Sequence, residues 1–413
     1  MTSRSAVIAA ILVFVSLLMR MAILPWAITR IPLGDPVSYA EIADNIINGH
    51  RIIYSRPPFY VGGFAIFPPL YPILLAVVGL VAPLTAPTFL IVNWVIDIIT
   101  AALIFWISRQ IDLIKSGIAA ASTYLLWPTN LLMAPVAQKE GLAALLSCAV
   151  VGVLLAASER PSRSVALAYG ALSALLALTQ PALVTLPALL ALVMLPRFRS
   201  RKAWLETVGL GICSAIIVML PWWIRNYLIF DQFVPLTTSS GPALWIGTMS
   251  HGFENTWIPL ADYLTHQGSE VEISKRATYD AVTWISAHPL SYFHHTLIKA
   301  AYMLYPDRWN VKPLAWMLPA YLPPVVFKVI PMLASAALFA AAGIGGVLAR
   351  GSVIRPLVVA CLLQLFLVQI WFEFPERHRY FMIPLLAILA AEGMRLLIHD
   401  FANTFGRKAN MRG

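Results

Sequence analysis

Asp35 stands directly before a proline in Gly34-Asp35-Pro36-Val37-Ser38-Tyr39, and the stretch after it runs without a breaker to Asn48-Gly49. Aspartate, proline and a terminating glycine at this spacing read as the N-cap, first turn and end of a short helix. A carboxylate so placed either caps that helix or does acid–base work. A second acid, Glu140, follows Lys139 at the start of an apolar run. There it is either an acid stabilised by the helix dipole or a functional group. Two basic groups match these acids: Arg225, in Pro221-Trp222-Trp223-Ile224-Arg225-Asn226-Tyr227, and Arg377-His378-Arg379. Arginine near a membrane surface either extends its charge into water or grips an anionic headgroup, whose phosphate oxygens a guanidinium chelates through two parallel bonds. Flanking aromatic residues and two nearby acids suit the second use.

Other chemistries have no apparatus here. His294 and His295 are adjacent, which does not put two ligands on one helical face, and neither H-E-x-x-H nor C-x-x-C occurs. There is no G-x-S-x-G, Walker loop or Rossmann glycine pattern. The three cysteines, Cys148, Cys213 and Cys361, lie far apart inside apolar stretches and read as small core residues.

The elements that must position these residues are membrane helices. The chain has 413 residues, 60% hydrophobic and 12% charged, with a mean hydropathy of +0.78. That charge content is too low to solvate a soluble domain of this length. Apolar runs at about 6–28, 88–108, 116–134, 141–157, 164–180, 182–196, 204–224, 327–348, 356–373 and 380–398 predict an all-α polytopic protein with about ten transmembrane helices. The first run has no A-x-A-type cleavage site after it and is expected to remain as a span. Pro69–Val81 is short and proline-flanked, and is expected to lie at the interface or half inserted.

Alternating the ten spans puts Arg4, Arg109 with Lys115, Arg160 with Arg163, the 197–202 cluster, Arg350 with Arg355, and Arg407, Lys408 and Arg412 on one side. By the positive-inside rule that side is cytoplasmic, and both termini lie there. The same rule accounts for the net charge of +10 without nucleic acid. Residues 30–83 then form a first extracytoplasmic loop with juxtamembrane helices, and about 225–325 a large extracytoplasmic segment. Residues 401–413 form a basic cytoplasmic tail to a single membrane domain, 1–400. Within the large segment an amphipathic helix is expected at about Val271–Ser286.

The ordered motifs resemble the polytopic glycosyltransferases of the GT-C type, near the protein O-mannosyltransferase and aminoarabinose lipid A transferase branch. The matching residues are Asp35-x-x-x-Tyr39 with Ala43 and Gly49, Pro68-Pro69-Leu70-Tyr71-Pro72, and Gln138-Lys139-Glu140-Gly141-Leu142. Pro221-Trp222-x-x-Arg225-Asn226-Tyr227 with Phe233-Val234-Pro235-Leu236, Ala287-His288-Pro289 with Lys299, and Arg379-Tyr380-x-x-x-Pro384-Leu385 complete the series. Gln180-Pro181 departs from it, since many relatives carry a basic residue before that proline.

The resemblance implies transfer of a sugar from a polyprenyl-phosphate carrier to a glycan, lipid or protein hydroxyl outside the cytoplasm, inverting the anomeric centre. Asp35 would be the base, with Glu140 as an orienting group or a second acid for a divalent metal ion, which some relatives use and others do not. Arg377, Arg379, Arg225 and Lys139 would bind the donor phosphate, and Tyr39, Tyr71 and His378 the substrate. A bacterial inner membrane fits the small-residue-rich spans and the absence of N-x-S/T sites.

Other classes remain open on sequence. A lipid-linked glycan transporter or flippase would use ionisable groups inside the spans, and Arg20 and Asp97 are two such groups. A non-catalytic partner in an envelope-polysaccharide complex would tolerate substitution at both acids. A ligase or polymerase of lipid-linked glycans shares the expected site.

Overall fold

The computed structural model of the chain describes residues 3–27, 35–49, 51–54, 63–249, 268–303, 329–373 and 376–410. Among them the fold is helical, with one isolated antiparallel bridge between Tyr54 and Gly63. A helix satisfies its own backbone N–H and C=O groups, which lipid cannot do for it.

Helices α1 (Ser3–Met21) and α2 (Leu24–Ala27) precede α3 (Asp35–Ile47). The chain leaves α3 through Gly49 at φ +74°, a left-handed conformation that glycine adopts without strain. The proline-flanked run forms α4 (Leu70–Gly79), ten residues long. That is about 15 Å of helix against a hydrocarbon core of about 30 Å, too short to cross. It packs on α3 instead, with Tyr39 and Tyr71 edge to face at 5.4 Å.

Next come α5 (Ala86–Gln110), α6 (Ile114–Leu125), α7 (Pro128–Met133), α8 (Glu140–Glu159), α9 (Arg163–Thr179), α10 (Leu186–Met194) and α11 (Arg201–Phe230). The C-terminal part contributes α12 (Ser240–Met249), α13 (Glu270–Ala287), α14 (Pro289–Met303), α15 (Ile330–Leu348) and α16 (Ile354–Leu367). A 3-10 turn, Glu376–Met382, then leads into α17 (Ile383–Asn410).

Among the described residues, six helical segments are long and apolar enough to cross a membrane: Ala86–Gln110, Glu140–Glu159, Arg201–Phe230, Ile330–Leu348, Ile354–Trp371 and Arg377–Asn403. The chain is an integral membrane protein, and helix length alone accounts for six of the ten expected crossings. The run expected at 116–134 is not one helix. Proline has no N–H to donate and crowds the preceding turn, so α6 stops at Leu125 and α7 starts on Pro128. The apolar part of α1 is Ala9–Met21, α9 has 17 residues, and α10 has nine between two 3-10 turns. At the other end, α17 continues as helix to Asn410 through most of the stretch read as a tail.

Helix α8 is the central element, with 72% of its apolar window buried against 17% for α11. Two close helix pairs frame the bundle. A methyl on Gly170 of α9 would meet the Gly211 carbonyl of α11 at 1.8 Å, and one on Gly345 of α15 would meet the Leu389 carbonyl of α17 at 2.1 Å. Backbones approach this closely only where no side chain intervenes, a common contact between membrane helices.

Of the large segment expected outside the membrane, residues 250–267 and 304–328 lie outside the described residues. The expected amphipathic helix is α13. Ser269 caps it, its Oγ accepting from the Glu272 N–H at 3.3 Å while the Glu272 carboxylate accepts from the Ser269 N–H at 2.8 Å.

Candidate active site

Three sequence-distant segments meet at Arg377. Asp35 opens α3 with Pro36 behind it, Glu140 opens α8, and Arg377 lies in the 3-10 turn that packs against α8. The Arg377 Nη2 donates to Asp35 Oδ2 at 2.7 Å, and its Nε is 3.7 Å from Glu140 Oε1. Both carboxylates thus sit at the positive ends of helices and share one guanidinium. Lys139 lies over the Tyr39 ring, 5.8 Å from its centroid.

Charge sets the protonation of the group. Burial pushes the Asp35 carboxyl up, but Arg377, Lys139 and a hydrogen bond from Arg377 outweigh it and hold Asp35 below its ordinary value of 3.8. Burial pushes the Lys139 ammonium down, opposed by Glu140 and Asp35. The Tyr39 hydroxyl is pushed well up by burial and by the two nearby carboxylates. Asp35 is therefore an ionised carboxylate at neutral pH, while the neighbouring phenol keeps its proton.

Three buried polar atoms in this cluster have no hydrogen-bond partner among the described residues: Arg377 Nε, Glu140 Oε2 and the Tyr39 hydroxyl. Leaving such a group unpaired costs roughly 1–3 kcal/mol each, and more when charged. Three together mark a place shaped for a polar ligand.

The other expected residues divide. His378 is close enough to Asp35, Arg377 and Lys139 to feel their charge, and Tyr71 packs on Tyr39 as the wall beneath it. Arg379, two residues from Arg377, is buried with its guanidinium 4.8 Å over the Phe339 ring of α15. Arg225 belongs to another cluster, donating to the Ile52 carbonyl at 2.6 Å and to Asn226 Oδ1 at 2.8 Å, with the Trp222 ring at 4.6 Å. In that cluster Glu270 of α13 accepts from the N–H groups of Phe64 and Ala65 at 3.0 and 2.8 Å. These bonds tie α13 to the chain between α3 and α4.

A metal does not fit the donor set as it stands. Arg377 occupies the place between the carboxylates where a cation would have to be, and no cluster of three His, Cys, Asp or Glu ligands occurs among the described residues.

Sequence reading missed Glu373, whose carboxyl is raised by burial, with Arg377 opposing and Asp35 adding to the rise. Its position four residues before Arg377 was the available signal. It also missed that Arg20 and Asp97 pair at 2.6 Å inside the membrane, although intramembrane charges commonly neutralise one another. A cavity of about 40 Å³ is bounded by Asp97 of that pair together with Asn130, Gln138, Glu140 and Tyr380.

The helical bundle is the fold of solved polytopic membrane transferases of the GT-C type, to which the chain is similar. Among solved structures, the oligosaccharyltransferase AglB of Archaeoglobus fulgidus superimposes in its apo form with a TM-score of 0.58 and 14% identity, covering 98% of this chain and 52% of that one. A structure of AglB with an inhibitory peptide and a dolichol-phosphate gives 0.50 and 14%, over 99% and 52%, and one with Zn and sulfate gives 0.56 and 14%, over 94% and 49%. ArnT from Cupriavidus metallidurans bound to undecaprenyl phosphate matches more loosely, at 0.47 and 14% over 95% and 78%. The chain spans about half the length of the oligosaccharyltransferase, and at such identity the likeness speaks for the fold. No family model and no curated protein matches the sequence.

Proposed function

We propose that this chain transfers a sugar from a polyprenyl-phosphate carrier to a hydroxyl of a glycan, lipid or protein acceptor at the extracytoplasmic face. The observation that carries the reading is the set of unpaired buried polar atoms around the ionised Asp35, in a fold shared with a structure that holds a dolichol-phosphate. Arg377 Nε and Lys139 suit the donor phosphate, and the N-termini of α3 and α8 add positive potential.

In the reaction the acceptor oxygen attacks the anomeric carbon from the side opposite the phosphate, and its proton passes to Asp35. The bond from the anomeric carbon to the phosphate oxygen breaks with inversion. The electron pair leaves on polyprenyl phosphate, which gains one negative charge. The leaving group needs positive charge more than a proton, and preorganised cations supply it without reorganisation. Glu140 orients Arg377, and Tyr39, Tyr71 and His378 line the sugar side. The transport reading drew on charges within the spans; Arg20 and Asp97 neutralise each other instead.

Native mass spectrometry of the purified protein should show one polyprenyl phosphate retained by wild type and lost from Arg377→Gln. Equal retention by both would remove Arg377 from the donor site.

A further inference from the structure

The charges that the sequence leaves without a role, Arg20 on α1 and Asp97 on α5, connect through hydrogen bonds to Tyr380, in the turn that carries Arg377. We infer that Arg20, Asp97 and Asn130 form a positioning chain that fixes, through Tyr380, the turn presenting Arg377 to the donor phosphate. The inference rests on the donor reading above.

The chain is continuous and its polarity is set at one end. Arg20 is fully enclosed, with Nη2 2.6 Å from Asp97 Oδ2 and Nη1 donating to the carbonyls of Ser16 at 3.1 Å and Leu125 at 3.4 Å. Asp97, ionised against Arg20, only accepts, so Asn130 of α7 must turn its amide nitrogen toward it. That nitrogen lies 3.3 Å from Asp97 Oδ1 and 3.0 Å from the Tyr124 carbonyl. The amide oxygen of Asn130 is thereby aimed the other way, where it accepts from the Tyr380 hydroxyl.

Tyr380 belongs to the 3-10 turn Glu376–Met382, three residues after Arg377. Seven residues of 3-10 helix are long for that geometry, whose hydrogen bonds are poor, so the turn depends on side-chain anchors. The cavity of about 40 Å³ places Asp97, Asn130 and Tyr380 on the same walls as Gln138 and Glu140. The network and the site therefore share a boundary. A buried ion pair returns little net stability, and an apolar pair would join α1 to α5 as well. The orientation it imposes on Asn130 gives it a purpose.

Tyr380→Phe tests this in the full-length protein, since it deletes one hydroxyl and keeps the ring. Hydrogen exchange over residues 376–382 should quicken about tenfold, and KM for a polyprenyl-phosphate sugar should rise about tenfold with kcat within about twofold, the scale of one hydrogen bond. The double variant Arg20→Met, Asp97→Leu removes the ion pair without leaving a buried charge, and should raise KM similarly while its thermal unfolding stays cooperative. Unchanged exchange over 376–382, or unchanged KM in both variants, overturns the positioning role. Absence of wild-type turnover with any such donor overturns the donor reading itself, before a variant is compared.

Discussion

One guanidinium nitrogen of Arg377 holds Asp35 at 2.7 Å, and Lys139 adds a second positive charge nearby. Burial alone would raise the carboxyl, so the two cations decide its state. Because the folded value lies below 3.8, Asp35 contributes stability that is present above that pH and lost as pH falls through the folded value. The base form is available throughout the neutral range. In Arg377→Gln burial loses its main opponent, and the acid limb of kcat should move to higher pH. A pH–rate profile of that variant checks the sign; an unmoved limb would show that Arg377 does not set the base. At this scale much was legible. Asp35, Glu140 and Arg377 stood out as charges at the ends of apolar runs, and the structure brings all three together. The separation of Arg377 from Arg379 was not legible, because two residues in a 3-10 turn point apart and only the packing of α15 shows where Phe339 lies.

The elements outside the bundle are held by a few polar anchors, and these should fail singly. Lys299 of α14 is buried, with Nζ donating to the carbonyls of Gly247 at 3.0 Å and Phe372 at 3.1 Å. It thereby ties α12 to the strand of chain carrying Glu373. Lys299→Met leaves both carbonyls unpaired and should cost about 1–3 kcal/mol, read as a lower midpoint of thermal unfolding. Glu270 anchors α13 to the first loop, and burial pushes its carboxyl up to about 7. A folded value above the unfolded one means the native state holds the proton longer. The stability Glu270 contributes is therefore greatest below about 4.5 and declines as pH rises toward 7. Hydrogen exchange at residues 63–65, corrected for intrinsic rates, should show less protection at pH 8 than at pH 5, and Glu270→Gln should erase the difference. The start of α3 from Asp-Pro, its glycine end and the capped α13 could be read from local residue types. The break at Pro128 was readable too, but the apolar run on both sides outweighed a single proline in the hydropathy pattern.

For the whole molecule, the membrane class was legible because hydropathy is additive along the chain, whereas the number of crossings depends on how short helices pack. Six segments among the described residues meet the length a span needs, and the ten-span topology makes a direct prediction about sidedness. With the exposed Cys213 replaced, a cysteine at Ser164 should react with an impermeant reagent only from the cytoplasm, and one at Arg276 only from outside. Reaction of both from one face would contradict that topology, and an exchange of faces would invert it. The proposed chemistry also needs the full assembly, since Asp35, Glu140 and Arg377 come from the first loop, the central helix and the turn before α17. The most direct test of the account is turnover of a panel of polyprenyl-phosphate sugars by purified wild type and Asp35→Asn, with carrier-phosphate release followed by mass spectrometry in the presence of acceptor extracts. Wild type should release the carrier phosphate, and Asp35→Asn should lose about 10²–10⁴-fold with donor binding retained. Equal release by both proteins would contradict the role of Asp35 as base.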